Sequence, residues 1–388
     1  MTTANTPDAK PAEAETPSQI KVESRRLALL DFLKATVKVS GSDLHLQEGS
    51  VPMIRADGRA RFLDCPPLDD VQMNEYVKEV VHDPKKQEIL EHHGSVDVSY
   101  AALSVGARFR TNVFHSRGKY AIVMRRIITK IPNFDELNLP PQVESLADQQ
   151  RGIVLVSGTT GSGKTTTLAA IIGKINRTRA ERIITIEDPV EFQHDNIKSL
   201  VSQVEIGTDS ESYEYALKSV VRQDPDVILI GEIRDAFSLG TALKAADTGH
   251  LVFSTIHATN APTTVDRIVS LFHPDQKDLQ QQQLAANLVA VVCQRLAKKR
   301  EGKGRIPIIE IMFATPIVRK YIADGDFEKL KGAVGNRDAG SQSFDQHLTD
   351  LFMKQVIDVA EAKRLASNVD ALNLALRGIG NSDTRLTR

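Results

Sequence analysis

The stretch Gly158-Thr159-Thr160-Gly161-Ser162-Gly163-Lys164-Thr165 constrains this chain more than any other. It fits Gly-x4-Gly-Lys-[Ser/Thr], follows the apolar run Ile153–Val156 and opens the helix-like stretch Thr166–Ile175. Strand, glycine-rich turn and helix in that order form a phosphate-binding loop. Glycines let the backbone turn its N–H groups toward phosphates, and the helix N-terminus adds partial positive charge. Lys164 then reaches the β- and γ-phosphates, and the Thr165 hydroxyl ligates Mg²⁺. We expect ATP to be held by Gly158, Thr159, Thr160, Gly161, Ser162, Gly163, Lys164, Thr165 and Thr166.

Such a site needs a carboxylate at the end of a second strand. Two runs qualify. Ile183–Ile186 ends in Glu187-Asp188, and Val227–Ile230 ends in Gly231-Glu232, with Gly231 where aspartate is usual. The task is then shared: Glu232 near the attacking water, Glu187 or Asp188 supplementing the Mg²⁺ shell. Each also reads as an ordinary carboxylate capping the turn after a strand, Asp188 especially because Pro189 follows it. Another run starts at His250 and ends in Ser254-Thr255-Ile256-His257. A polar residue past the end of a parallel strand lies where ligands bind. His257 therefore either senses the γ-phosphate or bonds a neighbouring carbonyl, and His250 is open between the same readings. His92 and His93 read as surface residues.

Short apolar runs at 153–156, 183–186, 227–230 and 251–253, with helical patterns between several of them, imply a mostly parallel sheet covered on both faces. Residues 24–40 carry Leu27, Leu30, Leu33 and Val37 at helical spacing. Pro52–Arg55 and Arg59–Leu63 flank Asp57-Gly58, a hairpin signal. Residues 69–92 read as helical, and 96–127 as strands in which Phe109 and Val113 alternate with Arg108, Arg110 and Asn112. From 279 the pattern is mainly helical, with a strand pair expected around the basic loop 298–305. The three prolines of 131–142 suggest a linker. The expected organisation is a disordered tail (1–23), a small α+β domain (24–130), a linker (131–148), an α/β ATPase domain with C-terminal helices (149–378) and a flexible tail (379–388).

At 388 residues the chain suits two or three domains. Hydrophobic residues at 41% and charged residues at 26% exclude wholesale disorder. With 49 Lys and Arg against 50 Asp and Glu, the net charge of −1 excludes a chain-wide basic nucleic-acid binder. Cys65 and Cys293 alone make no disulfide framework or zinc pair, so a reducing compartment is expected. No apolar run is long enough to span a membrane, and residues 1–20 have no signal-peptide core.

The balanced charge conceals one strip. Residues 108–130 hold Arg108, Arg110, Arg117, Lys119, Arg125, Arg126 and Lys130 and no acidic residue. The strip reads as a solvated sheet face, as a nucleic-acid contact, or as arginine fingers that reach a neighbour's γ-phosphate from outside the ATP-binding domain. The second basic run, Lys298-Lys299-Arg300 with Lys303 and Arg305, reads as a solvated loop or a partner contact.

Together SGSDLHLQEGSVPMIRADG (40–58), GARFRTNVF (106–114), GTTGSGKTTTLAA (158–170), ITIEDPVEF (184–192), RQDPDVILIGEIRD (222–235), TGHLVFSTIHATNA (248–261) and SFDQHLTDLF (343–352) resemble the secretion/type IV pilus ATPase superfamily, most closely its PilT-like pilus-retraction branch. The resemblance implies a PAS-like N-terminal domain joined to a RecA-like P-loop core. It implies a homo-hexameric ring binding ATP and Mg²⁺ between subunits. That ring works at the cytoplasmic face of the inner membrane beneath a polytopic platform protein and drives pilus retraction. By the same resemblance Glu232 is the catalytic carboxylate, 184–192 is the Asp box and 248–261, with His257, the His box; from the residue chemistry above, Thr165 and Glu187 are expected to serve Mg²⁺. Arg108, Arg110 and Arg125 (or Arg126) act across the subunit interface. Extension ATPases of pili and type II secretion usually carry a tetracysteine insert, which this chain lacks. Thr159 in place of the usual proline, and the partial match at TPIVRK (315–320), keep in view an accessory retraction paralogue. The same motifs also fit an assembly or type II secretion ATPase, a RecA-like translocase or a non-hydrolysing regulatory subunit. No nucleic acid partner is expected.

Overall fold

The computed structural model describes residues 20–21, 27–56, 59–127, 131–302 and 304–376. The expected tails and the Asp57-Gly58 turn thus lie mostly or wholly outside the described residues, as does Lys130. The chain divides into two compact units, 1–129 and 130–388.

The first unit runs β1 (Ile20–Lys21), α1 (Leu29–Lys38), β2 (Asp43–Gln47), β3 (Met53–Ala56), β4 (Arg59–Asp64), α2 (Asp70–Val80), α3 (Pro84–His93), β5 (Ser95–Ala102), β6 (Ala107–Ser116) and β7 (Lys119–Ile127). Its sheet has the order β1-β4-β3-β2-β7-β6-β5 and is antiparallel apart from the β1–β4 pair. The helical stretch expected over 69–92 is two helices. Asp83 caps α3 with Pro84 at its first position, and proline, which has no N–H to donate, suits a helix start. One sheet face is apolar: Leu44, Leu46, Ile54, Phe109, Val113, Ile122 and Met124 join Phe32, Leu33 and Met73 in one core.

The second unit begins with two short helices, α4 (Phe134–Leu137) and α5 (Pro141–Glu144). The alternating part follows: β8 (Gly152–Ser157), α6 (Lys164–Thr178), β9 (Arg182–Glu187), β10 (Leu200–Glu205), α7 (Tyr213–Val220), β11 (Val227–Ile230), α8 (Ala236–Asp247), β12 (Leu251–Ile256), α9 (Ala261–Ser270) and α10 (Pro274–Asn287). Then come β13 (Leu288–Lys298), β14 (Arg305–Phe313), α11 (Pro316–Ala323), α12 (Phe327–Val334), α13 (Phe344–Met353), α14 (Val359–Leu365) and α15 (Val369–Leu376). The sheet order is β10-β9-β11-β12-β8-β13-β14. Only β14 runs antiparallel, so the strand pair expected around 298–305 is present. Successive β8 residues face opposite cores. Ile153 and Leu155 meet α7, α8 and α9, whereas Val154 and Val156 meet α6. Both faces are covered, as continuous apolar strands require.

The segment expected to be a linker behaves differently. Phe134, Leu139, Val143, Leu146 and Ala147 are buried against Leu168, Ile171, Ile172 and Ile175 of α6. Pro141 starts α5 instead of leading the chain away from the domain. The proline count pointed to an open connection, but the apolar residues between the prolines decide where the segment packs.

Candidate active site

Parallel pairing brings the C-terminal ends of β8, β9, β11 and β12 to one sheet edge. Each is followed there by a candidate residue. A cavity of about 750 Å³ lies over this edge, lined by Thr160, Gly161, Gly163, Lys164, Thr165, Thr166, Glu187, Asp188, Glu232 and His257 among others. Gly158, Thr159 and Ser162 complete the loop without lining this cavity; Gly158 and Ser162 are buried and Thr159 is exposed.

Glycine is required in this loop. Gly163 has φ +93°, and a Cβ there would lie 2.7 Å from Gln294 Nε2. A Cβ on Gly158 would fall 2.5 Å from the Gln294 carbonyl oxygen. Gln294, on β13 and 3% exposed, accepts a hydrogen bond from Thr167 Oγ1 (2.7 Å) and donates to the Ser162 carbonyl (2.8 Å). It therefore holds the loop from inside. Lys164 opens α6 and donates to the carbonyls of Gly158 (2.9 Å) and Thr159 (3.3 Å). Burial holds its ammonium below the ordinary lysine value, against the opposing pull of Glu232 and Glu191. A buried cation that bonds only to loop carbonyls is well placed to transfer to phosphate oxygens.

Glu187 ends β9 and is buried. Its Oε1 accepts from Thr185 Oγ1 (2.6 Å) and Gln203 Nε2 (3.2 Å). Burial pushes its carboxyl above the ordinary range, and those two bonds offset part of that. Glu232 is gripped on both oxygens: Oε1 lies 3.1 Å from His257 Nε2, and Oε2 lies 2.8 Å from Arg234 Nε. Arg234 also faces Asp188 at 3.7 Å. Asp188 therefore belongs to the site's charge network in addition to forming the turn before Pro189. His250 does not join them. It sits before the opposite end of β12, where its Nδ1 contacts the Ala245 carbonyl at 2.8 Å, a structural role.

Among the described residues no cluster of three or more His, Cys, Asp or Glu could by itself hold a metal. Magnesium in nucleotide sites takes one or two protein oxygens plus phosphates and water. Thr165 and Glu187, lining one cavity, fit that sparse set. The cavity lining also includes the apolar Leu137, Leu139, Leu296 and Pro307, with Glu136 and Arg305. Residues 136–139 come from the segment expected to be a linker, and Arg305 from the run expected to be a solvated loop.

The cavity lining comes wholly from the second unit. Arg108, Arg110 and Arg125 belong to the first, and strand pairing settles which of its arginines act together. Arg110 lies directly opposite Arg125, so these two share a face with Arg108, which alternates onto it. Arg126 lies opposite Phe109 and so projects from the other face. The pairing therefore does not support Arg126 in the place of Arg125. Arg125 contacts Asp43 at 2.8 Å, and Arg108 donates to Ser99 Oγ at 3.3 Å.

Gln294, Arg234 and Tyr213 line the cavity without having been singled out in the sequence. Arg234 carried a weak signal, two residues after Glu232 and therefore near it after a strand end. Gln294 and Tyr213 carried none, because their placement depends on other strands and helices.

The sequence matches the family described as T2SSE, Type II/IV secretion system protein, over residues 102–349. It is 38% identical over 339 residues to the type IV pilus retraction ATPase PilT of Pseudomonas aeruginosa, covering 87% of this chain and 98% of that protein. It is 37% identical over 353 residues to the type IV pilus ATPase PilU of the same organism, covering 91% and 92%. A crystal structure of the pilus retraction motor PilT with bound ADP superposes with a TM-score of 0.83 at 37% identity, covering 89% of this chain and 98% of that one.

Proposed function

Because this chain belongs to the type II/IV secretion system protein family, we propose that it hydrolyses ATP as the motor of type IV pilus retraction and so of twitching motility. The observation that carries the reading is the delivery of Lys164, Glu187, Glu232 and His257 to one cavity by four parallel strands. The extent of the match to a retraction ATPase, 98% of that protein's length, supports retraction over assembly or secretion.

Lys164 exchanges its bonds to the Gly158 and Thr159 carbonyls for the β- and γ-phosphates. Thr165 and Glu187 hold Mg²⁺, which supplies charge neutralisation at the phosphates when bound. Glu232 orients the attacking water and accepts its proton as the bond to the leaving ADP breaks, giving ADP and inorganic phosphate. Arg234 and His257 each occupy one acceptor position on Glu232, and its remaining lone pairs are free to take the water. His257, beside Glu232 and at the end of β12, is placed to respond to the γ-phosphate.

Arg108, Arg110 and Arg125 complete the site of a second copy within a homo-hexamer. The pairing of Arg110 directly against Arg125 favours this. It sets two guanidinium groups side by side on one sheet face, where both can engage one phosphate; Asp43 already balances the charge of Arg125 in the isolated chain. The ring works against a polytopic platform protein at the cytoplasmic face of the inner membrane. Among the described residues no helix is long and apolar enough to cross a membrane. The similar match to PilU supports a second reading, an accessory retraction ATPase working with a paralogue. Glu232→Gln should keep ADP binding and lose at least about 100-fold in turnover, the scale of general-base catalysis; full turnover would remove Glu232 from its role. A strain lacking the gene should carry excess pili that do not retract, and bald cells would reverse the direction assigned to the motor.

A further inference from the structure

The position where aspartate is usual is occupied, though not by a residue of its own strand. A Cβ on Gly231 would lie 2.7 Å from Tyr213 Oη, 3.2 Å from the Ile186 carbonyl oxygen and 3.4 Å from Glu187 Cα. The phenol hydroxyl, brought by the first residue of α7, fills the volume a side chain at 231 would claim. Tyr213 lines the cavity beside Glu187, Asp188 and Glu232, and the Arg234 guanidinium lies over its ring at 5.8 Å. Burial foremost, and then the neighbouring Asp188, push the phenol above its ordinary value. The group is therefore a neutral donor throughout the physiological range.

Resting on the ATPase reading above, we propose that Tyr213 is a positioning residue of the ATP site, its neutral hydroxyl replacing the missing strand-end carboxylate by hydrogen-bonding water around the nucleotide's magnesium. The charge balance favours such a substitute. Glu187, Asp188, Glu191 and Glu232 already line this cavity, and one more carboxylate would add like-charge repulsion. A hydroxyl orients water without adding charge. The same geometry explains Gly231: any Cβ would push Oη from its place.

The test compares ADP affinity by calorimetry with Mg²⁺ and with EDTA, alongside the melting temperature. Tyr213→Phe keeps the ring and removes Oη. It should lower the Mg²⁺-dependent gain in ADP affinity about five- to tenfold, the scale of one hydrogen bond, with affinity in EDTA and the melting temperature unchanged. Gly231→Ala should produce a similar loss in the wild-type background and little further loss in Tyr213→Phe. An unchanged Mg²⁺-dependent gain in Tyr213→Phe overturns the proposal, even if Tyr213→Ala lowers the melting temperature, because the ring alone would then account for the residue. Wild-type protein that shows no metal-dependent ADP binding would overturn the site reading itself, and this proposal with it.

Discussion

Gln294→Leu isolates the contribution of the strut beneath the phosphate-binding loop. Leucine keeps most of the side-chain volume, so the cavity term is small and the loss is of two hydrogen bonds. A buried polar group left without a partner costs about 1–3 kcal/mol. The Thr167 hydroxyl escapes part of this, because a helical threonine can turn to the carbonyl four residues earlier, here Gly163. The Ser162 carbonyl, in a residue 4% exposed, takes most of the cost. The expected total is about 2–3 kcal/mol, or roughly 4–12 °C in melting temperature for a unit of this size. Nucleotide binding should suffer as well. Each 1.4 kcal/mol of lost loop preorganisation weakens binding about tenfold, so ADP affinity should fall about that much. Scanning calorimetry and isothermal titration read the two effects. Thr167→Val combined with Gln294→Leu removes both partners of one bond and should recover about 1 kcal/mol relative to the sum of the single variants. A melting shift below about 1 °C with unchanged ADP affinity would refute the strut. Strict additivity of the pair would show that the Thr167–Gln294 bond contributes nothing.

Two further outcomes follow from the geometry. Glu187→Gln keeps the oxygen that accepts from Thr185 and Gln203 while removing a buried charge. The folded carboxyl is raised above its unfolded value, so wild-type protein carries an ionisation penalty that is absent at acidic pH and grows as pH rises toward the folded value. The ligand-free variant should therefore be more stable than wild type at neutral pH, by about 0.5–2 kcal/mol as is usual for relieved active-site strain, with the gap closing on acidification; Mg²⁺-dependent turnover should fall. A gap in thermal scans that does not change with pH contradicts this. Arg110→Ala and Arg125→Ala should each cut turnover about 10³-fold or more, as arginine fingers do, while Arg126→Ala changes it little. Mixing Arg110→Ala with Lys164→Ala subunits should restore part of the turnover, because some interfaces then pair an intact loop with an intact arginine; no recovery on mixing would remove the action in trans.

Much of the chemistry was legible because its signals are local. The loop 158–165 declares itself through glycines at fixed spacing, and the runs 153–156, 183–186, 227–230 and 251–253 through continuous apolarity. A carboxylate or histidine just past such a run must lie at the strand end, so Glu187, Glu232 and His257 followed directly. The fold class followed from the same rhythm. The segment 131–148 was less legible: its prolines are visible in the sequence, but the α6 surface that receives Phe134 and Val143 is not.

Other features depend on pairings between distant residues. Whether Arg125 or Arg126 stands with Arg110 is a question of register, since shifting a strand by one residue moves every side chain to the other face. Gln294 meets Thr167 across 127 positions of chain, a contact that β13 creates by pairing with β8. Tyr213 reaches the space above Gly231 because of where α7 is placed. The sequence by itself thus determined the phosphate-binding loop, the strand-end carboxylate and histidine, and the alternating architecture, through short-range spacing and backbone preference. The tertiary structure alone decided what braces that loop, what fills the place of the absent aspartate and which arginines share a face, because each depends on parts of the chain that come together only on folding.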